Sequence, residues 1–501
     1  MSEVEPQAGF PPGGLEEPPG AETGKERARR LPLFLAAPKL AVWRMALPAM
    51  AGLLVHTFYS VVDTAFVGRL GPVALAAQTR AVPVFFIMIA LTAGLGSGAT
   101  SAIARAAGAG RREEADRVAS TALAVGLLLG LLYTAAGLLL GDRLPALLGA
   151  QGEGRRLAWD YLRVLFYGAP VFFLSVFMRC FLTGEGDART PMLVMSGALL
   201  LNLFLDPVFI FRGAVQFPWP VEGLSRWFRW VPTLGLGVAG AALATVAAQT
   251  AGFLAYLWIL FVRRRTYVRF RRGSMAPSGK AFHAILRVGG PTALAQGIMG
   301  AGFGLVIRIL KPFGDLVVAG YGAGTKVDML VVIPVFGLAG ALVPVAGMFR
   351  GAGRMDLVKR VTFFTYGWSV FLAILTGVSA WLSAPWSLRL FCDDPRVIEA
   401  GKVYLGWMVF SYPLMALGVT SGRLLQGLGL GLPYLVITSV RLLLVTVPLA
   451  WILTRVGYGP QGVWGAFIAG GVAANAVGLS WVAWVFRREG GGRKMSERES
   501  P

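Results

Sequence analysis

Twelve apolar stretches of about 20 to 28 residues run along this chain, separated by short turns rich in glycine, proline and arginine. Each is long enough to cross a hydrocarbon core of roughly 30 Å as a helix. Approximate spans are 41–68, 79–105, 118–140, 157–182, 190–211, 235–262, 283–311, 322–349, 361–383, 397–424, 433–455 and 459–486. Hydrophobicity this continuous, neither alternating nor confined to one helical face, predicts helices surrounded by lipid or by one another. The expected fold class is an all-α polytopic membrane protein.

The punctuation between these stretches repeats. Pro48 pairs with Pro291, Gly71 with Gly314, Gly94-Leu95 with Gly337-Leu338, and Gly108-Ala109-Gly110-Arg111 with Gly351-Ala352-Gly353-Arg354, all at a spacing of 243 residues. Near the end of each half the spacing drops to 222, where Gly235, Gly237 and Gly240 match Gly457, Gly459 and Gly462, so the first half carries about 21 extra residues, roughly 212–233. An even number of spans per half returns the chain to its starting side. The two six-helix lobes therefore run parallel, related by an axis along the membrane normal, as in many secondary transporters. The organisation expected is an N-terminal disordered tail (1–37), an N-lobe (38–270), a C-lobe (271–488) and a C-terminal tail (489–501).

Composition agrees and narrows the function. Apolar residues make up 55% of the chain and charged residues only 15%, with a mean hydropathy of +0.64, which excludes an ordinary soluble domain. The 47 Lys and Arg against 26 Asp and Glu fall in loops and tails rather than on a folded basic surface, so no nucleic-acid partner is expected. Roughly 26 basic residues lie on the side holding both termini and roughly 11 on the other; the positive-inside rule puts both termini in the cytoplasm of a multi-pass inner (plasma) membrane protein. Residues 1–31 lack the apolar core of a signal peptide. Two cysteines, Cys180 and Cys392, match no metal spacing, and the two histidines, His56 and His283, leave little for catalysis. With no Walker loop, H-E-x-x-H or G-x-S-x-G, the chain reads as neither an enzyme nor a cofactor carrier. Transport is expected to run on an ion gradient.

Chemistry in such a chain shows as polar groups that hydrocarbon would otherwise forbid. Asp63 lies in the first span and Asp206 in the fifth, with Asn202 one helical turn before it on the same face. Pro207 lacks an N–H and frees a carbonyl near Leu203, a hard oxygen ligand. Thr245, in the sixth span, reaches the level of the carboxylates and adds a hydroxyl. Two carboxylates in one low-dielectric pocket cannot both stay ionised without a cation, so the cluster fits a site for a proton or Na⁺. The alternative is that Asp63 is an interfacial helix-end residue and Asp206 part of a terminal turn. At the repeat positions stand Val306, Val445 and Leu449, which assigns ion handling to the first half.

At these residues the chain resembles the multidrug and toxic compound extrusion (MATE) family of the MOP superfamily, in its prokaryotic DinF-like branch. The resemblance covers roughly 38–488 and rests on three motifs. These are Tyr59-x-x-x-Asp63-x-x-x-x-Gly68-x-Leu70-Gly71-Pro72, Gly184-Glu185-Gly186-Asp187-Ala188-Arg189-Thr190-Pro191, and Asn202-x-x-x-Asp206-Pro207. It implies a Na⁺ or H⁺ site at Asp63, Asn202, Asp206 and Thr245, supported by Tyr59 and Tyr161, with Pro48 letting the first helix bend. Other branches of the family use carboxylates in the seventh and tenth helices, and this sequence has none within 285–310 or 400–424.

Further candidates for relay or cavity roles are His56, Gln296, Arg308, Lys326 and Asp328. The last three are expected near the outer ends of the seventh and eighth helices, as snorkelling residues or as a gating charge pair. Glu185 and Asp187 are expected at the cytoplasmic surface, in a turn and hinge. Trp219, Trp227 and Trp230 in the extra segment, with Arg226 and Arg229, read as an outer interfacial amphipathic stretch, with a cavity lid as the alternative. The function expected is that of an antiporter exporting amphipathic, often cationic organic molecules for H⁺ or Na⁺. It would work as a monomer, with the bilayer and small organic substrates as its partners. The alternatives are a lipid-linked oligosaccharide flippase, a membrane-embedded enzyme and a channel.

Overall fold

Apolar runs bounded by glycine and proline close into helices because hydrocarbon leaves backbone polar groups no other partners. A computed structural model describes residues 30–212, 233–263, 266–270 and 276–496, and among these residues there is no strand. Twelve helices are long and apolar enough to span a membrane: α1 (Pro38–Gly68), α2 (Pro72–Gly108), α3 (Arg112–Leu140), α4 (Gly152–Gly184), α5 (Arg189–Ile210), α6 (Gly237–Val262), α7 (Gly279–Phe313), α8 (Asp315–Gly351), α9 (Met355–Leu382), α10 (Pro395–Gly427), α11 (Leu432–Arg455) and α12 (Gly459–Glu489). All twelve expected spans are present. Proline opens α1, α2 and α10 in the first turn, where its missing N–H costs no bond. The repeat extends to backbone geometry. Gly71 and Gly314 turn at φ of 105° and 94°, and Gly110 and Gly353 at 69° and 71°, a left-handed region that other residues rarely enter.

The ends differ from expectation. Residues Arg30–Ala36 form a short helix whose Phe34 is buried against the core and whose Arg30 pairs with Asp187 at 3.2 Å, so order begins before residue 37. The last helix runs on to Ser496, and Glu489 pairs with Arg350 at 2.8 Å. Glu185 and Asp187 are buried rather than at the surface. Asp187 caps the Thr190 N–H at 3.1 Å and Glu185 accepts the Val268 N–H at 2.8 Å, which ties the chain between the lobes to the N-lobe. The segment carrying Trp219, Arg226, Trp227, Arg229 and Trp230 lies outside the described residues.

The lobes meet through α2 against α7 and α8, and α8 against α1. These contacts obey the repeat. Gly94 lies against Ala293 while Gly337 lies against Met50; Gly108 lies against Met348 while Gly351 lies against Arg105. In each case both members of the second pair are the 243-residue mates of the first, the self-complementary geometry of a two-fold axis. Glycine is needed because backbone meets backbone: a Cβ on Gly108 would lie 2.7 Å from the Met348 Cα. Polar bonds reinforce this end of the bundle. Ser101 Oγ donates to the Gln426 carbonyl at 2.5 Å, Gln426 Nε2 donates to Thr292 Oγ1 at 3.1 Å, and Arg350 donates to the Leu428 carbonyl.

Along α2 the face that carries Gly94, Ser101 and Gly108 continues, at helical spacing, through Thr79, Pro83 and Ile87, which are exposed. On α8 the corresponding face continues through the exposed Gly322, Lys326 and Leu330, the repeat mates of those three. One face of each central helix is thus covered by the opposite lobe near the chain termini and bare at the other end. The lobes enclose a cleft that is closed on the terminus-bearing side and open on the opposite side.

Candidate functional site

Asp63 lies five residues before the end of α1 and Asp206 four before the end of α5. The helices run in the same direction and pack together, so their carboxyl groups arrive at one depth, within hydrogen-bonding reach of each other. Asn202, one turn before Asp206, donates Nδ2 to Asp206 Oδ1 at 3.2 Å. Asp206 is 0% exposed and Asn202 1%. On the facing helix α6, Thr245 Oγ1 donates to the Ala241 carbonyl at 3.1 Å and lies 3.5 Å from the Tyr59 hydroxyl. Tyr161 of α4 packs against the apolar cluster next to the carboxylates. Beyond the carboxylates, Phe66, Val67, Ile210, Val238 and Ala241 pack together and shut the pocket off from the nearer helix ends. The helix α5 continues through Pro207 to Ile210, which leaves the Leu203 carbonyl without an N–H from position 207.

Two oxygens in this pocket are orphaned: Asp206 Oδ2 and Asn202 Oδ1 are buried with no hydrogen-bond partner. Leaving such atoms bare costs about 1–3 kcal/mol each, more for a charged group. Two ionised carboxylates set side by side also repel, which a proton on either one relieves. A cation among the same oxygens would satisfy them equally.

The other candidates scatter. His56 is exposed on α1, with its ring edge-on to Tyr59 at 6.3 Å, so it touches the pocket through that tyrosine. Pro48 lies within an uninterrupted α1. Gln296 is half-buried on α7, and Arg308 and Lys326 are exposed. The expectation for Asp328 is overturned. The helix α8 begins at Asp315, not at 322, so Asp328 lies about 20 Å along it at 1.5 Å per residue, and its carboxylate turns toward α10 rather than reaching for an interface. It also forms no charge pair with Arg308 or Lys326 among the described residues. Its oxygens accept instead from the hydroxyls of Tyr404 and Tyr412, each at 2.5 Å.

Sequence reasoning passed over Gln78, whose Nε2 donates to Asp63 Oδ2 at 2.9 Å. A signal was available. Asp63 precedes Gly71 by eight residues and Gln78 follows it by seven, so a hairpin at that glycine sets the two level on adjacent helices. Tyr404 carried a signal too, as the 243-residue mate of Tyr161.

Comparison with known proteins agrees with this architecture. The sequence profile of the MatE family matches residues 48–208 and 291–452, two segments in the register of the internal repeat. The probable multidrug resistance protein NorM of Thermotoga maritima is 28% identical over 445 residues, covering 88% of this chain and 90% of that protein. A crystal structure of MATE in the bent conformation superposes with a TM-score of 0.83 at 31% identity, over 94% of this chain and 98% of that one. Another, of MATE in the straight conformation, gives 0.80 at 31% identity over 93% and 98%. Since the profile recurs in both halves and twelve helices close into two parallel lobes around one cleft, the chain belongs to the MatE family.

Proposed function

We propose that this protein is a multidrug antiporter that exports amphipathic, often cationic organic compounds through the inter-lobe cleft in exchange for H⁺ or Na⁺ handled by the N-lobe pocket. The observation that carries the reading is the pair of carboxyl groups within bonding reach, with Asp206 Oδ2 and Asn202 Oδ1 buried and unpartnered. Loading the pocket discharges it and unloading recharges it, so its two states differ in electrostatic energy by an amount that can bias a conformational equilibrium. Asp63 and Asp206 would hold a proton between them; for Na⁺, Asn202 Oδ1 and Thr245 Oγ1 would complete an oxygen shell. Pro48 supplies the flexible point in α1, and the existence of relatives solved in bent and straight forms supports a cycle between two shapes. The name of the Thermotoga maritima relative supports drug-like substrates, and the exposed apolar residues Ile87 and Leu330 on the bare faces of α2 and α8 favour apolar contact over a fixed polar pattern. Both termini would face the cytoplasm, and since cleft and pocket belong to one chain, a monomer would suffice.

The test is efflux of a cationic dye from proteoliposomes, driven separately by a pH gradient and by a Na⁺ gradient. Transport driven by one gradient, and lost in Asp206→Asn, is the expected result. Dye movement that follows neither gradient would refute antiport. Thr245→Val separates the ions: loss of Na⁺-driven but not H⁺-driven efflux identifies a sodium shell.

A further inference from the structure

The C-lobe contains a second carboxylate pocket that the N-lobe site does not use. Asp328 on α8 lies in the apolar core of that lobe, where Val306 and Leu310 of α7, Tyr321 and Val327 of α8, and Trp464 of α12 are all buried. Both its oxygens accept from tyrosine hydroxyls of α10. The tyrosines are seated by glycines: a Cβ on Gly377 would lie 2.6 Å from Tyr412 Cδ2, and one on Gly324 would strike the Tyr404 ring. A third hydroxyl, that of Tyr321, is buried with no partner, although its ring meets the Tyr404 ring edge-on at 5.3 Å and stacks on Trp464 at 5.7 Å. The groups facing Asp328 from the surrounding helices are therefore neutral phenols and apolar rings. Lys326, two residues before Asp328 on α8, is exposed and forms no ion pair with it among the described residues, and the buried Arg441 guanidinium of α11 has Tyr404 and Tyr434 as its electrostatic neighbours.

Repeat symmetry relates this pocket to the first. Tyr404 is the mate of Tyr161, and Tyr321 the mate of Gln78, while the carboxylate comes from α8 rather than from the mate of α1. We propose that Asp328 is a second proton-binding site, set in the C-lobe, which loads and unloads during the transport cycle; this rests on the antiport reading. A carboxylate held by neutral donors alone can take a proton without first breaking an ion pair. On loading, the proton joins one Asp328 oxygen as O–H, and the tyrosine hydroxyl that donated there must release it; unloading reverses both moves. Asp328 keeps partial exposure, which gives protons a route in.

The test reads protonation directly, apart from transport. In purified full-length Asp63→Asn/Asp206→Asn protein, acid-minus-alkaline infrared difference spectra should still show the carbonyl band of a buried protonated carboxyl. Adding Asp328→Asn should remove it, and adding Tyr412→Phe instead should move the pH at which it appears. A band missing from the double variant, or persisting in the triple, overturns the proposal. Should the triple variant fail to fold, an unchanged pH profile in the Tyr412→Phe variant overturns it as well. A wild-type protein indifferent to both pH and Na⁺ gradients that nonetheless shows the Asp328 band would sink the antiport reading and leave the site standing.

Discussion

The closure between the lobes makes a quantitative prediction for Gly108→Ala. The added Cβ would stand 2.7 Å from the Met348 Cα, where ordinary contact begins at 3.4 Å, and the obstruction is backbone, which cannot turn aside. The lobes must therefore part by about 1 Å at the terminus-bearing end. Overpacking of this kind costs about 1–3 kcal/mol, and only in the form in which α2 and α8 touch. At about 1.4 kcal/mol per factor of ten, the equilibrium should move roughly 5- to 150-fold away from the closed-at-termini form. Gly351→Ala must do the same, because Gly351 meets Arg105 in the symmetric contact and its Cβ would lie 2.9 Å from the Ala109 nitrogen. The assay is a pair of spin labels at Arg111 and Arg354, exposed repeat mates in the turns that follow α2 and α8, in protein with Cys180 and Cys392 replaced by serine. Each variant should raise the population of the longer inter-label distance. Gly197→Ala, with nothing within 4 Å of the new atom, should leave it alone. Unchanged distance distributions in both Gly108→Ala and Gly351→Ala would show that this contact does not define a state of the cycle.

Three further outcomes are expected. Asp63→Asn and Asp206→Asn should each abolish gradient-driven efflux in folded protein, whereas Val306→Ala, at the repeat mate of Asp63, should change it little; equal losses at positions 63 and 306 would contradict an N-lobe ion site. Gln78→Leu removes the donor to Asp63 Oδ2 and should cost about 1–3 kcal/mol, seen as a lower melting temperature and a shifted ion dependence of efflux, and wild-type values in both would dismiss the bond. Pro48→Ala restores an i→i−4 hydrogen bond in α1, so the variant should bind dye as the wild type does but turn over slowly, with Pro291→Ala milder. Wild-type turnover in Pro48→Ala would remove α1 bending from the mechanism.

Much of this protein was legible before any coordinates. Twelve spans follow from length and hydropathy, because a segment of about 20 apolar residues has few options other than a spanning helix. The parallel lobes follow from a repeat of even helix number, and Asp63, Asn202, Asp206 and Thr245 stand out because lipid makes such residues costly. Other features were decided only by tertiary structure. The sequence pattern gives the face a residue occupies on its own helix, but not the rotation and tilt that choose which foreign face it meets. Thus Asp328 read as a snorkelling charge, since nothing local announces that Tyr404 and Tyr412, 76 and 84 residues away, would hold it. Gln78 went unnoticed because its role depends on how closely α1 and α2 pack beyond their shared turn. The closure of Gly108 on Met348 and Gly351 on Arg105 lay open in the sequence as a repeat but not as a contact, because backbone-to-backbone approach is a property of two helices at a crossing and is written in neither one alone.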